Sequence, residues 1–262
     1  MIWRSKKSVK DTIEIRIMIK RWIKDLKRIF YIAEKDLKIY FFKAPNMIFG
    51  IFLPVVLYLA FVMGRTIEFT LVMPGLIAMT ILFGAGAIQS VSLPLERRTG
   101  TFKMLLTAPI KISTIVFGKI FAGFVYGIIL STIYFAFILF FSPLSNLPLY
   151  FLVILISSLM FSAFGLFLSI PFRDIPQAMP SATVVRILMV FLCGVFISIE
   201  AMPRGLQIIA YLLPLTYSLD ALHQVINGPL NVLIFVIDFG VQILFSIFFI
   251  IVTIKVLKST LK

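Results

Sequence analysis

Acidic side chains, cysteine and histidine are scarce in this sequence: 11 Asp and Glu, one Cys and one His among 262 residues. One cysteine cannot form an internal disulfide, and one imidazole is no metal cluster. Cys193 reads as a small apolar packer and His223 as a surface residue. No HExxH zinc motif, GxSxG nucleophile elbow or GxxxxGK(S/T) phosphate loop occurs, and Gly118-Lys119 is followed by Ile120. The chain is therefore expected to hold no catalytic residue, metal or cofactor of its own. Charge is also low, at 14%, against 61% hydrophobic residues. Soluble domains carry about 25% charged and about 45–50% apolar residues. The composition thus excludes a soluble globular protein, and it excludes disorder for the same reason.

The charge that is present is lopsided, at +14. In a soluble protein that balance would suggest nucleic acid; here it is local, and no nucleic-acid partner is expected. Residues 1–45 hold thirteen Lys and Arg against five Asp and Glu. Ile15, Ile19, Trp22, Leu26, Ile29 and Ala33 recur at helical spacing, and Lys20, Arg21, Lys24, Lys27, Arg28 and Lys35 occupy the other faces. This pattern favours an amphipathic helix lying flat on anionic lipid headgroups. A solvated helix docked on a partner protein is the alternative. Strict alternation over residues 12–17 leaves a short strand open there, and Met18 is an alternative start.

Beyond Lys43 the chain is apolar and reads as a membrane domain over residues 46–262, after a cytoplasmic region over residues 1–45. A span needs about 20 residues. Six are expected, at about 46–64, 71–95, 114–141, 148–170, 182–202 and 232–254. No charged residue lies between Lys119 and Arg173, and the run Ser142-Pro143-Leu144-Ser145-Asn146-Leu147-Pro148 divides that stretch into a hairpin. With six spans, 23 of the 25 basic residues fall on one side, leaving Arg65 and Arg204 on the other. The positive-inside rule then places both termini in the cytoplasm of a multi-pass plasma-membrane protein. Residues 205–217 form a further apolar run, too short to cross, which predicts a re-entrant or interfacial hairpin before the last span. Thr101 to Thr107 are expected to form about two helical turns in the cytoplasmic loop, between Gly100 and Pro109.

Polar groups inside the membrane are costly and mark either paths or helix contacts. Asp238, Gln242 and Ser246 recur at i, i+4 and i+8. They form a stripe that lines a path or locks helices; the other reading is an Asp that reaches water at the outer interface. Arg186 and Glu200 flank the fifth span, are expected at its two interfaces, and stand with the stripe as candidates for a transport path. Ser158, Ser162, Gly165 and Ser169 are small residues at helical spacing, suited to close helix packing.

The loop after the second span is the most specific segment. It runs Leu93-Pro94-Leu95-Glu96-Arg97-Arg98-Thr99-Gly100-Thr101-Phe102-Lys103-Met104-Leu105-Leu106-Thr107-Ala108-Pro109, followed by Gly118-Lys119. Glu96, Arg97, Gly100, Thr101, Leu105, Leu106, Pro109, Gly118 and Lys119 resemble the signature of ABC-2 type transporter permeases. Phe102 stands where that family usually has Leu, and Lys103 where it often has Glu. Lys43-Ala44-Pro45 with Pro54 is similar to the family's approach to its first span. Pro214-Leu215-Thr216-Tyr217 with Ala221-Leu222 is similar to its outer hairpin.

The resemblance implies the permease subunit of an ABC exporter, moving an amphiphilic substrate such as a drug, lipid or lipid-linked glycan. It implies a second permease copy, as homodimer or related heterodimer, and two separate ABC ATPase subunits that bind ATP and Mg. Glu96, Arg97, Arg98, Gly100, Thr101, Phe102, Leu105, Leu106 and Pro109 would form the coupling segment. Phe102, Leu105 and Leu106 would supply its apolar contact. Pro214, Thr216 and Tyr217 would belong to an external gate. An ATP-independent channel or secondary transporter is the alternative function.

Overall fold

A computed structural model of the chain describes residues 2–40, 47–62, 69–141, 146–228 and 230–260. All regular structure among them is helical. Helix α1 (Ile2–Tyr40) runs through residues 12–17, so the alternating hexapeptide is helical and not a strand. A π-helical turn (Ile48–Phe52) leads into α2 (Leu53–Val62). Proline at 54 has no N–H for the carbonyl four residues back. The chain widens to an i→i+5 bond there, Leu53 N–H to Ile48 O, and Tyr134 Oη donates to Ile51 O at 3.0 Å. The Lys43-Ala44-Pro45 motif and Arg65 lie outside the described residues, as do both ends of the expected first span.

Helices α3 (Phe69–Arg98), α4 (Thr101–Thr107), α5 (Ile112–Phe141) and α6 (Leu147–Ser169) follow, close to the limits the charge gaps predict. Then come α7 (Ile175–Leu192), a 3-10 turn (Ile199–Ala201), α8 (Arg204–Tyr211), α9 (Pro214–Asn227) and α10 (Val232–Thr260). Five described helices are long and apolar enough to cross a membrane: within α3, α5, α6, α7 and α10. Helices α8 and α9 meet at 86°, the broken hairpin expected before the last span.

The fifth span needs correction. It was expected over residues 182–202, but the helix is Ile175–Leu192. Asp174 stands at its N-cap with Pro176 in the first turn, and Gly194 leaves the helix in the left-handed region at φ 90°.

Helix α3 is the centre of the bundle, buried along its apolar length and packed against α5, α6, α7 and α9. Small residues permit this. A Cβ at Gly165 of α6 would lie 2.5 Å from Gly86 Cα of α3, so two backbones cross at paired glycines. The hydroxyl of Ser162 donates across to Ile120 O of α5 at 2.7 Å. The small stripe on α6 is thus a packing surface.

Candidate functional site

The loop between α3 and α5 is built by its own sequence. Helix α3 ends where Gly100 takes φ 76°, a left-handed conformation that glycine adopts without Cβ strain. Helix α4 starts at the next residue. It ends at Ala108, which is extended, as residues before proline are. Phe102 faces inward beneath Arg97, whose guanidinium carbon sits 5.8 Å from the ring centroid. This corrects the expected contact surface, since Phe102 is buried and cannot meet a partner. Leu105 and Leu106 are half-buried against the core, and Met104 is the outward apolar side chain at 73% exposure.

Four ionic groups tie this loop to the bundle. Lys119 of α5 is fully buried, with its Nζ 2.8 Å from Glu96 Oε2 and 3.1 Å from Asp36 Oδ2. The same ammonium donates to Ser92 Oγ at 3.1 Å. Lys35 pairs with Asp36 Oδ1 at 3.1 Å and with Glu96 Oε1. Burial alone would lower the Lys35 pKa, but Asp36 and Glu96 outweigh it and hold it above its ordinary value. Two cations thus face two carboxylates, the condition under which buried charge is tolerated. Gly118 explains the other half of the Gly-Lys pair. A Cβ there would lie 2.8 Å from Ile32 Cβ, so glycine lets α1 seat on α5 and bring Asp36 to Lys119.

Lys35 and Asp36 are the functional candidates that sequence reasoning missed. Ile32, Ala33, Asp36 and Tyr40 share one buried face of α1. The signal was an acid on an apolar stripe, hidden in a segment dominated by cations. Higher up, Trp22 and Leu26 are exposed at 70% and 45%, apolar groups facing away from the bundle.

Two further contacts fix the loop. Arg97 donates to Phe172 O at 3.0 Å and also to Ile170 O, in the turn before α7. Arg98 stands 3.8 Å from Asp174, an exposed pair worth little.

Arg186 is not at an interface. It lies eleven residues into α7, about 16 Å along the axis at 1.5 Å per residue, and is 2% exposed. Its Nη2 donates to Gly86 O at 2.8 Å and Ser90 Oγ at 2.6 Å. No carboxylate pairs with it among the described residues. A Cβ at Gly86 would lie 2.9 Å from Nη2, so the same glycine that admits α6 admits the guanidinium. Glu200 is exposed in the 3-10 turn, far from Arg186 in the sequence and on a different element.

The stripe on α10 faces inward. Asp238 accepts from Gln224 Nε2 of α9 at 3.1 Å. Gln242 Oε1 accepts from Ser157 Oγ of α6 at 2.7 Å and from Ser218 Oγ of α9 at 3.2 Å. Its amide donates to Tyr217 O at 3.3 Å, and Ser246 donates back to Gln242 O at 2.8 Å. Of the alternatives left by the sequence, this is the geometry of a helix lock.

The outer hairpin is fastened by its own motif. Pro214 starts α9, Thr216 Oγ1 donates to Ala210 O at 2.5 Å, and Tyr217 Oη to Tyr211 O at 2.7 Å. A cavity of about 360 Å³ opens beside it, lined by residues including Cys193, Glu200, Asp220 and His223. His223 is half-buried, not a surface residue, and pairs through Nδ1 with Asn227 Nδ2 at 3.1 Å. Burial lowers its pKa, with Asp220 partly opposing. Among the described residues no cluster of three potential metal ligands occurs.

Residues 27–227 match the family model described as ABC-2 type transporter. The chain belongs to the ABC-2 type transporter family. The match begins inside α1 and ends with α9, so it takes in the ion cluster, α4, Arg186 and the outer hairpin. No curated protein matches the chain. Membership makes it a multi-pass membrane protein and a permease of an ABC transporter, a family that works with an ABC ATPase.

Proposed function

We propose that this ABC-2 permease is the membrane half of an exporter for an amphiphilic substrate, driven by two copies of a separate ABC ATPase and working beside a second permease chain. ATP and Mg belong to the ATPase. The loop end of the bundle faces the cytoplasm, together with both termini, and α1 rests its Trp22–Leu26 side on anionic headgroups of the plasma membrane. Helix α4 is the coupling helix.

One observation carries this reading: α4 hangs from α3 and α5, and buried ion pairs join those two helices to each other and to α1. A push on α4 is therefore passed to spans and not absorbed by a loose loop. Met104, with Leu105 and Leu106 at its flank, supplies the apolar contact, and Arg98 and Lys103 its polar rim. Phe102 and Arg97 anchor α4 from behind.

The test is co-purification of the permease with its ATPase, with ATPase turnover in the complex as second readout. Met104→Asp and Leu105→Asp each place a charge in the contact. A well-packed interface anchor is worth about 2 kcal/mol, so association is expected to weaken roughly thirtyfold. Unchanged association and turnover in both variants would refute the coupling role.

A further inference from the structure

A groove of about 350 Å³ lies between the end of α6, the start of α7 and the last turns of α10. Phe167, Phe172, Ala182, Val185 and Val256 are among its apolar walls, and Ser181 supplies a hydroxyl. Val185 and Val256 keep more than a third of their surface exposed, so the groove is open at its side. Its wall on α7 extends from Ser181 to Val185, about 9–15 Å beyond Ile175 at 1.5 Å per residue. That depth is one leaflet of a hydrocarbon core about 30 Å thick.

The mouth of the groove is basic. Ile170 and Phe172, which line it, hold Arg97 by their carbonyls. Arg173 follows directly on Phe172, whose carbonyl Arg97 holds, so the two cations share the mouth. Arg98 is adjacent, and exposed Lys255 and Lys258 flank Val256 on α10. Asp174 is the acid at this rim, and it sits by Arg98. Glu96 is already neutralised by Lys35 and Lys119. Among the described residues no carboxylate pairs with Arg173.

An apolar slot one leaflet deep, ending at two adjacent and under-neutralised arginines, has the polarity of a lipid. We propose that it binds one anionic phospholipid of the leaflet on that side, with an acyl chain between α6, α7 and α10 and the phosphate at Arg173 beside Arg97. Naming that leaflet the inner one rests on the orientation proposed above; the groove and its charge do not.

The experiment uses the purified, delipidated full-length protein in detergent and phosphatidylglycerol carrying a photoreactive group in one acyl chain. Labelled peptides are mapped by mass spectrometry. Label is expected within residues 167–185. Unlabelled phosphatidylglycerol should compete at least about fivefold better than phosphatidylcholine, the ratio for one juxtamembrane cation at about 1 kcal/mol. Arg173→Gln should erase that preference, Arg173→Lys should keep it, and Arg204→Gln at the other end should leave it unchanged. Val185→Trp should fill the slot and reduce labelling by either lipid. Label spread evenly over the exposed helix faces would overturn the proposal. So would a preference that survives Arg173→Gln, or competition by inorganic phosphate alone. The assay contains no ATPase, so a failure of the coupling role would leave its outcome standing.

Discussion

The two ends of this bundle handle polar groups in opposite ways. At the loop end, Lys35, Asp36, Glu96 and Lys119 form a cluster of two cations and two carboxylates, three of them almost fully buried. At the hairpin end neutral hydrogen bonds fasten the motif, Thr216 to Ala210, Tyr217 to Tyr211 and Asn227 with His223, and the Asp238 carboxylate accepts from the uncharged amide of Gln224. No ion pair forms there among the described residues. The difference bears on rigidity. A desolvated ion pair loses several kcal/mol if either partner leaves, whereas a neutral hydrogen bond is worth about 1 kcal/mol and is readily exchanged for water. One end is built to stay together, and the other can part at low cost. That division suits a permease pushed from the loop side and opening on the far side, as proposed above.

The largest test of the contrast is Lys119→Met. It leaves two buried carboxylates sharing Lys35, which is itself partly exposed. A loss of about 3–5 kcal/mol is expected, read as a large fall in the thermal midpoint in detergent and in monodisperse yield. Adding Asp36→Leu removes the orphaned acid and leaves Lys35 with Glu96. The double variant should be clearly more stable than Lys119→Met alone, a coupling that distant sites do not show. A neutral single variant would mean the cluster does not hold the loop end together.

Arg186 sits between the two ends and sharpens the comparison. It is as buried as Lys119 but contacts only a carbonyl and a hydroxyl. Arg186→Met strands no opposite charge. Ser90 Oγ already donates to Gly86 O at 3.1 Å, so both acceptors keep a partner. Two hydrogen bonds are lost while the burial cost of a cation is relieved, and stability should stay within about 1 kcal/mol of the parent. A fall as large as that of Lys119→Met would show that charge balance is not what separates the two sites.

Most of the span pattern was readable because uncharged stretches over 20 residues long have few other uses. The fifth span is harder to place because an arginine inside an apolar stretch ordinarily marks a boundary. That rule fails where a guanidinium finds backbone: Gly86 has no Cβ, which opens its carbonyl to Arg186. The correct limits were nonetheless written in local chemistry, Asp174-Ile175-Pro176 as a helix start and Gly194 as a stop. The Gly118-Lys119 motif was recognisable by likeness, but its reason was not. The glycine serves a contact with Ile32, and the lysine a salt bridge with Asp36, 83 positions away. The inward face of Phe102 is hidden from the sequence for a similar cause. Apolar spacing on a seven-residue helix does not say which side is already covered, and here Arg97 covers it.

The smallest test concerns the hairpin end alone. Burial favours neutral His223, and Asn227 donates to its Nδ1, which fits a ring carrying its proton on Nε2. The folded-state pKa is below the ordinary value of about 6.5, so the unfolded chain takes up a proton first as pH falls. Stability from this group is therefore complete above about pH 6.5 and is lost progressively below it. The thermal midpoint should drop modestly between pH 7.5 and 5.5. His223→Gln, which keeps a side chain able to accept from Asn227, should flatten that part of the slope. Lys119→Met should lower the curve without flattening it, since the cluster it damages is at the other end. If instead His223→Gln left the slope intact, the acid sensitivity would not come from the His223 imidazole.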